Sequence, residues 1–160
     1  WYKDEANGSH TYAADSEDLY RWTVAEPVIT DCAHEGPNVF DWKGRYWMIT
    51  DHWRGLGVYR SDDLMNWARK RDILDAPGSR RDDGQIGRHA DVVVNGDRAF
   101  IVYFTHPDRG TDEHHGFDVD HPLSAKRTSI QVAELTYGDN ILWCDRNQPF
   151  ALDLGQPVAK

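Results

Sequence analysis

The chain has 160 residues, enough for one domain of ordinary size and hardly two. With 18 Lys and Arg against 27 Asp and Glu its formal net charge is −9, which argues against nucleic acid and anionic membranes as partners. Hydrophobic residues make up only 39%, yet aromatics reach 12%, and a chain rich in Trp and Tyr is not composed like a disordered one.

The chain opens at Trp1-Tyr2-Lys3, which reads as the middle of a strand, with no charged leader and apolar stretch of a signal peptide. The longest clean apolar run, Ala99 to Phe104, is far too short to cross a bilayer. A strand is expected over His10 to Ala14. It is followed by Ser16-Glu17-Asp18-Leu19-Tyr20-Arg21-Trp22, which returns 45 residues later as Ser61-Asp62-Asp63-Leu64-Met65-Asn66-Trp67. Each copy follows a strand-like stretch, the second being Gly57 to Arg60. Each precedes an apolar pair, Val28-Ile29 and then Ile73-Leu74.

Between the copies, Asn38 to Trp42 reads as a strand, Lys43-Gly44 as a turn and Arg45 to Thr50 as the next strand. Asp91 to Val94, the turn Asn95-Gly96-Asp97 and Arg98 to Thr105 repeat the plan. Ser129 to Leu135 takes the third-strand place and Ile141 to Cys144 the fourth. Asp62 to Arg71 is read as a turn, and no 3.6-residue stripe of helical length occurs. Pro107 to Ser124 is a long polar loop carrying His114, His115 and His121. With no third ligand at metal-site spacing, that His pair reads as surface loop. Cys32 and Cys144 read as unpaired small hydrophobes, a reading compatible with either redox compartment.

Units of about 45 residues with three or four antiparallel strands are the signature of β-propeller blades. The expected class is all-β, a partial propeller of about 2.5–3 blades of four-stranded sheets. Residues 1–30 form the end of a blade, 33–75 and 88–145 two further blades, and 146–160 a tail or the start of a closing strand. Propellers use at least four blades, so a fragment of a longer chain is expected, with further blades upstream of Trp1.

In an antiparallel meander the start of the first strand and the end of the second share one end of the sheet. The residues at those points are His34-Glu35 and Arg88-His89 before first strands, and Asp4-Glu5, Asp51-His52-Trp53 and His106 after second strands. Carboxylates, imidazoles and an indole at one channel mouth suit a polar ligand. Plainer roles compete with this. Glu35 could begin a tight turn, His89 could be a core histidine and Asp51 could cap the turn at Trp53-Arg54-Gly55. Asp62-Asp63 and Asp82-Asp83 read as solvated turn acids. No phosphate-cradling glycine loop, nucleophile elbow or Cys pair at zinc spacing occurs.

At Glu35-Gly36-Pro37, Val39-Phe40 and Lys43-Gly44-Arg45-Tyr46-Trp47-Met48 the chain resembles glycoside hydrolase family 43 and its five-bladed propeller relatives. The resemblance runs over about residues 1–145 and includes the doubled Ser-x-Asp-Leu-x-x-Trp segment and Gly87-Arg88-His89. It implies a carbohydrate-cleaving enzyme, most simply an inverting one, with Glu35 as general acid. His89 would stand in the channel and help hold a calcium or other ion; no other cofactor is implied. Arg127 would be a substrate contact. Glu5, His34, Asp51, His52, Trp53 and His106 complete the expected sugar-binding set. The general-base Asp and the Asp that tunes the acid would lie upstream of Trp1. Ala33-His34 and Asp51-His52-Trp53 depart from the common pattern. The alternatives are a related propeller clan acting on fructans or anhydro-galactose sugars, and a non-catalytic propeller that binds sugar or protein. A WD-type interaction propeller lacks its Gly-His and Trp-Asp signature here.

Overall fold

A computed structural model describes residues 1–109 and 122–155. The expected loop histidines His114, His115 and His121 lie outside the described residues, as does the end of the tail. The described chain is all-β apart from two single turns of 3-10 helix, Glu5–Asn7 and Leu123–Lys126. None of its helices is long and apolar enough to cross a membrane.

Among the described residues, eleven strands form three antiparallel meanders. The first sheet holds β1 (Tyr2–Asp4), β2 (His10–Asp15) and β3 (Thr23–Ile29). The second holds β4 (Glu35–Trp42), β5 (Arg45–Asp51), β6 (Leu56–Ser61) and β7 (Ala68–Ile73). The third holds β8 (Arg88–Asn95), β9 (Arg98–Thr105), β10 (Ser129–Gly138) and β11 (Ile141–Cys144). Each sheet is ordered as its strands run in the chain. β4 and β8, the first strands of two successive blades, are neighbours, and β4 also packs beside β1. This is the arrangement of a partial propeller.

The repeated segment is a folding device. In the first copy Ser16 Oγ accepts the amides of Asp18 and Leu19, and Asp18 Oδ1 accepts those of Tyr20 and Arg21. In the second, Ser61 Oγ accepts from Asp63 and Leu64, and Asp63 Oδ1 from Met65 and Asn66. Each Trp then donates its indole N–H to the carbonyl of its Leu, Trp22 to Leu19 and Trp67 to Leu64. Both leucines sit at positive φ, 65° and 67°. Ser and Asp serve here because their short oxygens reach backbone amides that a tight turn leaves unpaired. The chain therefore makes the same corner between β2 and β3 as between β6 and β7. The turn ends at Trp67, and β7 follows it as a strand rather than continuing the turn to Arg71.

The second sheet is buried on both faces. Alternation along β5 sends Trp47 and Ile49 one way and Met48 the other. Trp47, Ile49, Leu56, Val58 and Ile73 pack against Ala99, Ile101, Tyr103, Ala133 and Leu142 of the third sheet. Met48 and Tyr59 pack on Ile29 and Val28 of the first. Large aromatics fill these seams, which is how a chain poor in aliphatics builds its core. Cys32 and Cys144 are both free thiols.

Asp83 corrects the expectation of a solvated turn acid. Its side chain is 0% exposed and it is held by Arg146, Arg80 and the hydroxyl of Tyr103. Arg146 also donates to the carbonyls of Leu74, Asp83 and Gln85, so it ties the connection between the second and third sheets to the end of the third. Both first strands begin earlier than read from sequence, at Glu35 and Arg88 instead of Asn38 and Asp91. Each carries a register shift near its start, and the strand resumes beyond it.

Candidate active site

Glu35 opens β4 and stands opposite Asp51, which closes β5. Between Glu35 and Asn38 the register slips at Gly36, whose φ is +58°. A Cβ on Gly36 would lie 2.6 Å from His89 Cδ2, so glycine serves both the bulge and the close approach of that imidazole.

Three sheets contribute to the Glu35 carboxylate. From the second, Trp53 Nε1 donates to Oε1 at 2.9 Å. From the third, His89 Nε2 lies 3.1 Å from the same oxygen. From the first, Lys3 Nζ reaches Oε2 at 3.3 Å, while also pairing with Glu5 at 2.8 Å and lying 5.8 Å from the centre of the Trp53 ring. Asp51 is the frame beneath this group. Its Oδ1 accepts the amide of Trp53 at 2.7 Å and its Oδ2 the amide of His89 at 3.0 Å. It caps the turn, as the plainer reading had it, and also seats two of the three side-chain partners of Glu35.

The two carboxyl groups are driven apart. Burial pushes Glu35 upward, but the indole N–H, the His89 imidazole and the Lys3 ammonium outweigh it and hold the carboxyl below its ordinary range. Asp51, 1% exposed, is raised by burial despite the two amides and the nearby Arg88 and His89. Burial, which by itself would favour a protonated Glu35, is thus outweighed by the groups described. One nitrogen or oxygen of Glu35, Asp51 and His89 lies within 4.8 Å of the others, a grouping able to face a cation.

His34 and His52 do not reach this mouth. Strand alternation turns each to the side opposite its neighbour Glu35 or Asp51. His34 is fully buried, its Nδ1–H donating to the Cys32 carbonyl and its Nε2 facing Thr11 Oγ1 at 2.6 Å. His52 lies over Gly57, where a Cβ would sit 2.0 Å from its ring. Burial pushes the His52 imidazole down to about 4 and moves His34 the same way. Both are therefore corrected from sugar contacts to buried groups of the seam.

At the same end of the third sheet, His106 donates Nδ1–H to the Arg127 carbonyl at 3.2 Å. Arg127 pairs with Asp108 at 2.7 Å and with Asp82 at 3.1 Å. A row of ring contacts, His89 to Phe104 and Phe104 to His106, links this group to the Glu35 cluster. Sequence reasoning missed Lys3. Its signal was its place one residue before Asp4 on a strand, which turns it to the opposite side from Asp4.

No family model matches the sequence, and no curated protein matches it. Among solved structures the chain is similar to a thermostable family-43 glycoside hydrolase, with a TM-score of 0.56 and 19% identity, over 88% of this chain and 49% of that one. A GH32 beta-fructofuranosidase from Bombyx mori matches with a TM-score of 0.46 and 19% identity over 78% of this chain and 26% of its own. A family 43 arabinoxylan arabinofuranohydrolase from Bacillus subtilis matches at 0.47 and 13% over 74% and 24%. The first likeness establishes the fold, a partial β-propeller. The chain spans about half the length of that enzyme.

Proposed function

We propose that this propeller cleaves glycosidic bonds, with Glu35 as the general acid. The observation that carries the reading is the convergence of Lys3, Trp53 and His89, one from each sheet, on a single half-buried carboxylate. A carboxyl group fixed in position at a channel mouth suits proton delivery to a glycosidic oxygen, and an inverting pair would stand roughly 6.5–9.5 Å apart with a water between. A general acid has to enter the reaction protonated. The two Asp residues that the family resemblance places upstream of Trp1 would supply the base and the negative charge that raises Glu35. Glu5, Trp53, His106 and Arg127 would bond sugar hydroxyls from the same end of the sheets, while Asp51, expected from sequence as a sugar contact, is buried and instead seats Trp53 and His89.

Calcium takes six to eight oxygen ligands. Glu35, Asp51 and His89 offer two carboxylates and one nitrogen, so an ion here would be carried largely by water and would serve as a positive charge beside the mouth. A second reading has one observation in its favour. Glu35, held ionised by its partners, suits a non-catalytic site that grips a sugar through charge-assisted hydrogen bonds.

Glu35→Gln in the full-length protein separates the two. As a general acid, Glu35 should cost roughly 100- to 10,000-fold in kcat on natural glycosides when replaced, far less on an aryl glycoside whose leaving group needs no proton, and little in binding. Equal losses on both substrates, or sugar binding without hydrolysis in the parent protein, would overturn the catalytic reading.

A further inference from the structure

Behind the carboxylates lies a second convergence that the proposed chemistry does not use. Cys32 and His34 lie on the connection between β3 and β4, and His52 follows β5. One ligand atom of each lies within 4.8 Å of the others. We propose that Cys32, His34 and His52 form a binding site for a zinc-type divalent metal, clipping the connection between the first two blades to the second.

The donors suit such an ion. Zinc takes thiolate at about 2.3 Å and imidazole at about 2.0–2.1 Å in a tetrahedron, which sets its ligand atoms roughly 3.3–3.6 Å apart. Cys32 Sγ already lies 3.7 Å from His52 Nε2. Metal-bound histidines hand their other N–H to a carbonyl or carboxylate, which fixes the tautomer. His34 does so to the Cys32 carbonyl at 2.8 Å, leaving Nε2 basic. His52 Nδ1 lies 3.5 Å from Asp72 Oδ1 and 3.4 Å from the donor Arg69 Nη2; on metal binding its N–H would donate to Asp72 as Arg69 shifts, and its Nε2 lies toward Cys32. The hydroxyls of Thr11 and Thr50, now at 2.6 and 2.9 Å from the two imidazoles, would swing away on binding, while that of Tyr59, 3.3 Å from His52 Nε2, goes on donating to Asp31 at 2.8 Å.

Charge also balances. Arg69 lies 3.4 Å from His52 Nδ1 but is held by Asp72 at 2.8 Å and Asp31 at 3.4 Å. A divalent ion with one thiolate, these two carboxylates and the guanidinium leaves the pocket neutral. A water would fill the fourth position beside the half-buried Cys32. On binding, the thiol proton leaves to solvent as the metal–sulfur bond forms, one proton per ion.

The test is cobalt(II) titration of the chelator-treated full-length protein, followed by zinc. One equivalent should bind with a thiolate-to-cobalt charge-transfer band and the intense visible bands of a tetrahedral site, and zinc should displace it. Cys32→Ser should abolish the charge-transfer band and Cys144→Ser should keep it. Asp72→Asn, acting through His52, should weaken zinc roughly 10- to 100-fold. Should Cys32→Ser misfold, alkylation of the parent protein decides instead: zinc should protect Cys32 and leave the rate at Cys144 unchanged. A missing thiolate band, a band that follows Cys144, unprotected Cys32, or binding lost in Glu35→Gln but not in Cys32→Ser would overturn the proposal. The last outcome would place the ion at the channel mouth.

Discussion

Asp83→Asn should be among the most damaging conservative changes in this chain. The wild-type carboxylate takes Arg146 Nη1 on Oδ1 at 2.9 Å and Arg80 Nη2 on Oδ2 at 2.9 Å, with the Tyr103 hydroxyl close to both oxygens. Asp83 is 0% and Arg146 4% exposed, so an amide nitrogen would meet a guanidinium with no water to intervene. Removing one partner of a buried pair costs about 3–5 kcal/mol. Arg80 is 31% exposed and recovers some hydration, which favours the lower part of that range. Against a typical total of about 5–15 kcal/mol this is a large fraction, and it corresponds to a fall of about 6–20 °C in Tm for a chain of this size. Urea and thermal denaturation at neutral pH, followed by tryptophan fluorescence, measure it. The double variant Asp83→Leu with Arg146→Met should regain much of the loss, because a buried pair exchanged for apolar groups is often neutral. A loss below about 1 kcal/mol for Asp83→Asn, the range of surface pairs, would refute the reasoning.

Acid should weaken the fold through His52. Its imidazole titrates near 6.5 when unfolded and at about 4 in the fold, so below 6.5 the unfolded chain takes a proton that the native chain refuses. Stability should fall by about 3 kcal/mol as pH drops from about 6.5 to about 4, with His34 adding in the same direction and Asp51, raised by burial, opposing at the acid end. Urea midpoints of chelator-treated protein across that window check this, and His52→Gln should flatten the slope; an unchanged slope would clear His52. Gly36→Ala combines a left-handed backbone, costing about 1–2 kcal/mol, with a Cβ driven into His89. It should lower stability by at least that amount and detach His89 from Glu35, which the His89 ring resonances would report; an unshifted His89 would count against the packing described.

Much of the architecture was legible because its signals are local. Arg98–Thr105 and Ile141–Cys144 have the bounds read from their β-branched and aromatic runs and from the Asn95-Gly96 turn. The doubled Ser-Asp-Leu-Trp segment marked equivalent corners because the same side-chain oxygens satisfy the same amides. Meander geometry brought Glu35 and His89 to one end of the sheets, and they touch. His34 and His52 went astray where the two-residue alternation was not applied at strand ends: neighbours in sequence were assigned one destination and have opposite ones. Asp83 could not be read locally, since its burial depends on Arg146, far along the chain. The charge state of Glu35 was equally hidden, because burial is outweighed by the Trp53 indole together with His89 and Lys3, the last two from other blades.

The back-to-back placement of Glu35 with His34 and of Asp51 with His52 constrains how the chain can change length. An insertion or deletion between Ile29 and Glu35 that slipped β4 by one residue against β5 would reverse which side chain meets the channel. An imidazole would then enter the mouth while a carboxylate was forced into the dry seam against Thr11 and Tyr59. The segment 30–34 should thus accept substitution at its exposed positions far more readily than any indel, and its length is a fixed dimension of the propeller in the way that a gear's tooth count is.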